Sequence, residues 1–234
     1  MSVIPRRERL IVALDVPTPA EARALAGTLG DAARFYKVGL ELFSSGGAFE
    51  LMEWLTARGN RVFADLKLYD IPETVRRAVA NLRGRGASFL TVHGHRSLMQ
   101  AAAQEKGEMK ILAVTVLTSF DRHDVEEMGA TRSTEELVLS RARGALDTGC
   151  DGVVASGLEA RRLKAEFGDK LLVVTPGIRP VEHRVADDQK RTVDVAQAFA
   201  NGADYIVVGR PIRQAADPRA AAQAIQDSIA AIFP

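Results

Sequence analysis

Eight short apolar runs recur along the chain: Leu10–Val16, Phe35–Leu40, Arg61–Leu66, Phe89–His93, Ile111–Leu117, Gly152–Ala155, Leu171–Thr175 and Tyr205–Gly209. Runs this continuous, rich in Val, Ile and Leu, predict strands buried on both faces, as in a parallel sheet covered by helices. Between them the spacing becomes helical, for example over Pro19–Leu29, Ala48–Ala57, Pro72–Leu82, Thr134–Asp147 and Pro218–Ile232. Pro19, Pro72 and Pro218 stand at helix starts, where a missing N–H costs nothing. Gly59 and Gly149 follow helices, as C-terminal caps do. Eight strand–helix units in 234 residues predict an α/β fold, a (β/α)8 TIM barrel spanning residues 1–234 as a single domain. A doubly wound sheet shares the alternation and is the competing topology. Eight regular units, with no linker or low-complexity tract, favour the barrel.

Composition narrows the class. A hydrophobic fraction of 47% supports a sizeable core. Lys and Arg total 31 against 30 Asp and Glu, a net charge of +1, so nothing marks a nucleic-acid partner. One cysteine, Cys150, makes an intrachain disulfide impossible and fits a reducing cytosol. The apolar run Leu10–Leu14 is too short for a signal-peptide core, and no stretch approaches a membrane span. A soluble cytoplasmic protein with no membrane partner is the expectation.

Parallel α/β architectures bind ligands at the carboxyl ends of their strands. There this chain places Asp15, Lys37, Asp65-Leu66-Lys67, Thr118-Ser119, Pro176-Gly177-Ile178-Arg179 and Gly209-Arg210. Asp65 and Lys67, two apart, are expected to share one face of a strand, and Asp70 falls just before Pro72 opens the next helix. An acid, a base and an acid at one strand end read as catalytic. The bland alternative is a surface salt-bridge network, which the position at the barrel rim disfavours. Gly209 is expected to allow close backbone approach, and Arg179 and Arg210 to offer forked hydrogen bonds to an anion. The polar stretch Arg179–Arg191, which holds Gln189, reads as a mobile lid. His93-Gly94-His95 lacks the further ligands a zinc site needs, so no metal role is assigned. His93 is expected at a strand end, His95 in a loop, His123 and His183 facing solvent, and Cys150 and Trp54 in packing.

The motifs Ala13-Leu14-Asp15, Lys37-Val38-Gly39, Asp65–Thr74, Leu117-Thr118-Ser119, Thr175–Pro180 and Val208-Gly209-Arg210-Pro211 agree in order and spacing with one family. By these the chain resembles the orotidine 5′-phosphate decarboxylases of bacterial type, over essentially its whole length. The resemblance implies orotidine 5′-monophosphate as substrate, UMP and CO2 as products, and neither metal nor organic cofactor. It implies that Lys67 protonates C6 of the pyrimidine, that Asp65 lies against the departing carboxylate, and that Lys37 belongs to the charged array. It places Asp15 and Lys37 on ribose hydroxyls, Thr118 and Ser119 on ribose or base, and Pro176 in the base pocket. Arg179, Gln189, Gly209 and Arg210 would hold the phosphate. Asp70, Ile71 and Thr74 would come from the neighbouring subunit of a homodimer.

Two other readings remain open at this stage. Magnesium-dependent keto-sugar-phosphate decarboxylases or aldolases resemble this chain in the Asp-x-Lys-x-x-Asp segment. They carry a metal-binding Glu where Lys37 stands, and a protonated lysine cannot ligate magnesium. A non-catalytic nucleotide-binding barrel is the other, and such a protein would not need the Asp65–Lys67–Asp70 set.

Overall fold

The eight apolar runs form eight parallel strands in a computed structural model, which describes residues 4–179 and 191–233. They are β1 (Leu10–Ala13), β2 (Phe35–Gly39), β3 (Arg61–Leu68), β4 (Ala87–His93), β5 (Lys110–Val114), β6 (Gly152–Val154), β7 (Leu172–Thr175) and β8 (Tyr205–Val208). Each strand pairs with the next, and β8 pairs with β1 through Ile11↔Val207 and its neighbours, so the sheet closes. Closure excludes the doubly wound alternative. Helices follow the strands and cover the outside. The prolines predicted to open helices do so: Pro19, Pro72 and Pro218 each begin one, and Thr18 and Asp217 cap two of these with their side chains. Gly59 and Gly149 take positive φ just beyond helix ends. Among the described residues, no helix is long and apolar enough to cross a membrane.

Two cores follow from strand alternation. Outward residues such as Leu10, Val12, Val62, Ala64, Leu90 and Val92 pack in one cluster against the helices. Inward residues form a second cluster of Ile11, Phe35, Phe63, Phe89, Leu112, Leu172, Val174, Tyr205 and others. Four of these are aromatic and meet inside the barrel, Phe35 to Phe89 at 5.0 Å and Phe89 to Tyr205 at 5.1 Å between ring centroids. Arg61 lies over the Phe35 ring at 4.6 Å. The interior is thus plugged at the amino ends of the strands. Two residues further along, the same inward columns carry Lys37, Asp65 and Thr91, so alternation converts an apolar plug into a polar floor.

β3 departs from regular geometry near its carboxyl end. Ala64 pairs with Leu90 and Leu68 pairs with Val92, so four residues of β3 run opposite two of β4. Within that bulge Lys67 has φ 48°, the one non-glycine residue at positive φ among the described residues. The expectation that Asp65 and Lys67 share a face through plain strand geometry is therefore corrected. Lys67 adopts a left-handed conformation, held by its N–H donating to Thr91 Oγ1 at 2.9 Å.

Candidate active site

A cavity of about 510 Å³ opens at the carboxyl ends of the strands. Of the residues expected to form a site, it is lined by Asp15, Lys37, Asp65, Lys67, Thr118, Ser119, Pro176, Arg179, Gly209 and Arg210. Six strand ends of the barrel rim thus converge on one space. Phe63, Val114, Val154 and Val207 also line it.

Its charged heart is a chain of contacts. Lys67 Nζ donates to Asp65 Oδ2 at 2.9 Å, and Lys37 Nζ stands 3.6 Å from the same oxygen. Lys37 Nζ also donates to Asp15 Oδ1 at 2.8 Å. The other oxygen of Asp65, Oδ1, accepts from the Thr91 hydroxyl at 2.9 Å. Asp65 is only 8% exposed. Burial disfavours its carboxylate, but Lys37, Lys67 and the hydrogen bonds from Lys67 and Thr91 outweigh burial and hold its pKa below the ordinary value. Burial likewise disfavours the Lys37 ammonium, while Asp65 and Asp15 outweigh it and raise that pKa. Each charge is fixed by its neighbours, and a ligand meets an array already organised.

Thr91 was not anticipated from the sequence. The signal was available: Thr91 has the same inward parity as Phe89, on the strand next to β3. The second unanticipated group is Arg191. Its Nη1 donates to Glu159 Oε1 at 2.5 Å, and its Nη2 donates to the carbonyls of Val116 at 3.1 Å and Leu117 at 2.9 Å. Beyond it Val193 bridges Ile178, and the Val193 carbonyl accepts from Arg179 N at 2.9 Å. This links the turn carrying Thr118 and Ser119 to the segment carrying Arg179.

Asp70, Ile71 and Thr74 do not line the cavity of their own chain. All three are exposed, Ile71 at 67%. Asp70 Oδ1 accepts from the Ile71 N–H at 2.6 Å. Their neighbour Tyr69 is 65% exposed. Gln189, His183 and the central part of the expected lid lie outside the described residues. His93 closes β4, and its ring and that of His95 pack against Tyr69 with centroids 5.0 and 5.1 Å away. His95 directly precedes the helix Arg96–Glu105. His123 is exposed and Cys150 is buried. Trp54 packs against the outer core with Arg58 stacked 3.9 Å from its ring. A Cβ at Gly209 would come no nearer than 3.4 Å to a protein atom, so packing within the chain does not itself demand glycine there.

Fold and site together define a (β/α)8-barrel enzyme whose strand ends present a preorganised array of alternating charges to a small anionic ligand. The description "Orotidine 5'-phosphate decarboxylase / HUMPS family" matches residues 8–225, and the chain belongs to that family. An orotidine 5'-phosphate decarboxylase of Methylococcus capsulatus is 60% identical over 230 residues, covering 98% of this chain and 95% of the relative. One of Xanthomonas euvesicatoria is 52% identical, covering 97% and 94%. The crystal structure of orotidine 5'-phosphate decarboxylase from Lactobacillus acidophilus superposes with a TM-score of 0.83 at 36% identity, covering 95% of this chain and 99% of that one.

Proposed function

We propose that this protein, residues 1–234 acting as one barrel domain, decarboxylates orotidine 5′-monophosphate to UMP and CO2 in the cytoplasm, as a homodimer with shared active sites. The observation that carries the reading is the buried Asp65 carboxylate held between two lysines, 2.9 Å from Lys67 and 3.6 Å from Lys37, in a cavity of nucleotide size. Relatives at 52–60% identity bear the name of this activity.

The chemistry follows from the array. Breaking the bond between C6 and the carboxylate releases CO2 and leaves an electron pair on C6 in the plane of the ring, where π-delocalisation helps little. Preorganised positive charge must stabilise that pair before it is protonated. In this reading Lys67 provides both, donating an Nζ proton to C6 to give UMP and regaining one from water. Asp65 aims the Lys67 ammonium and stands beside the departing carboxylate. Asp15 and Lys37 hold ribose hydroxyls, Thr118 and Ser119 meet ribose or base, and Pro176 lines the base pocket. Arg179, Gly209 and Arg210 take the phosphate, with Gln189 as a further contact. The phosphate is remote from C6, so its binding energy is available to position the reacting end.

Asp70, Ile71 and Thr74 fit this reading as donations to a second copy. They sit beside exposed Tyr69 and outside their own cavity, so a partner docking there would bring Asp70 to its Lys67. A magnesium-dependent sister activity is disfavoured by Lys37, whose ammonium cannot ligate the metal; turnover that survives excess EDTA would exclude it. The direct test follows loss of orotidine 5′-monophosphate absorbance with purified protein. Rapid turnover is expected, and none from a folded sample would sink the reading.

A further inference from the structure

Among the described residues, five cationic side chains line the cavity, Lys37, Lys67, Arg179, Arg210 and Arg213, against two carboxylates, Asp15 and Asp65. The two lysines are engaged with those carboxylates. Arg213 has no role in the site derived so far. It closes the short helix Arg210–Arg213, which follows β8 directly after Gly209. Arg210 and Arg213 are three residues apart, so one helical face presents both, and both line the cavity. Ile212 on the same helix is fully buried and anchors it to the outer core.

Arg213 is also incompletely satisfied. Its Nε is buried from solvent and has no hydrogen-bond partner, and no carboxylate of the described residues pairs with it. A buried guanidinium N–H without an acceptor is costly to leave unmade. Arg213 itself lines the cavity, and a phosphate oxygen there would meet the terminal N–H groups of its planar guanidinium, the fork that suits such an anion.

We propose that Arg213 is a further phosphate-binding residue, which joins Arg210 on one helical face to hold the 5′-phosphate of the nucleotide. This rests on the functional reading above and deepens it. Binding through Arg213 acts on the phosphate end alone, so it distinguishes the nucleotide from its nucleoside.

The test compares wild type with Arg213→Met, which keeps the length of the stem and removes the charge, and Arg213→Lys, which keeps the charge and removes the fork. UMP affinity and kcat/KM for orotidine 5′-monophosphate are expected to fall about 10- to 100-fold in Arg213→Met, the range for a lost hydrogen bond to a charged group. A smaller loss is expected in Arg213→Lys. Affinity for uridine and kcat/KM for orotidine, which lack the phosphate, are expected to stay within about twofold. Unchanged UMP affinity in Arg213→Met would overturn the proposal, as would a loss for uridine equal to that for UMP. Wild-type turnover is the control that separates the two readings: its absence removes the decarboxylase assignment, whereas its presence with an indifferent Arg213→Met removes only this one.

Discussion

At the scale of single residues, position within a strand decides what a side chain becomes. Phe63 and Asp65 share an inward column of β3, yet one belongs to the apolar plug and the other is a carboxylate held between two lysines. Lys67→Ala is expected to abolish turnover, because no other group is assigned to protonate C6, while UMP still binds; steady-state assay and calorimetric titration check both halves. Near-normal turnover would remove Lys67 as the acid. Cys150 offers a prediction on stability. Burial pushes its thiol up to about 11, so the folded protein holds that proton where the unfolded chain, titrating near 9, has lost it. A pKa raised on folding contributes stability that is complete below the unfolded value and is lost as pH rises towards the folded one. Stability should therefore fall by on the order of 2 kcal/mol between about pH 9 and pH 11 from this group. Tyr36, pushed up to about 12 by burial, extends the fall. Urea midpoints across this range should decline less steeply in Cys150→Ala than in wild type.

Among the elements, what the sequence made legible was what burial dictates. Eight apolar runs predicted eight strands, because strands of a covered parallel sheet are apolar on both faces. The runs overshoot their strands where apolar residues continue onto the cavity wall. Ile111–Leu117 is apolar almost throughout, yet β5 ends at Val114, and Val116 and Leu117 line the cavity. Strand-end polarity pointed to Asp15, Lys37, Asp65, Thr118 and Arg179, and all five line the cavity. The left-handed backbone at Lys67 left no mark in the sequence, because glycine or asparagine would have been the usual signal. Arg191 was equally hidden: its carbonyl partners at Val116 and Leu117 are 75 and 74 residues away, beyond any local pattern. Removing that link in Arg191→Met should raise KM for the substrate, since the walls bearing Thr118 and Arg179 lose their common tie; steady-state kinetics read it. A further prediction concerns β6, only three residues long. A Cβ on Gly152 would lie 2.6 Å from the Leu172 carbonyl oxygen and 2.7 Å from the Leu172 Cβ. Backbone cannot yield as a side-chain tip can, so Gly152→Ala should cost ~1–3 kcal/mol, visible as a lowered Tm.

For the molecule as a whole, the proposed sharing of sites makes a quantitative prediction. Lys67→Ala and Asp70→Ala should each be nearly inactive alone. In a two-fold dimer, a mixed pair holds one doubly damaged site and one intact site. Random exchange puts half of the subunits' dimers in mixed form, so co-refolded samples should recover about one quarter of wild-type activity. No recovery, with dimers verified by light scattering, would place Asp70 outside the shared site. The closure of the sheet has a consequence of another kind. Because β8 pairs with β1, the order of strands around the barrel does not depend on which of them comes first. The two regions bracketing them lie side by side, with Arg9 stacked 3.8 Å from the Phe233 ring and Gln226 Nε2 donating to the Arg7 carbonyl at 3.2 Å. A circular permutant that joins these regions by a short linker and opens at the exposed Gly84-Arg85-Gly86 turn should keep the barrel, since that cut falls at the amino ends of the strands, opposite the cavity. The topology is a ring on which the gene marks one of several workable starting points.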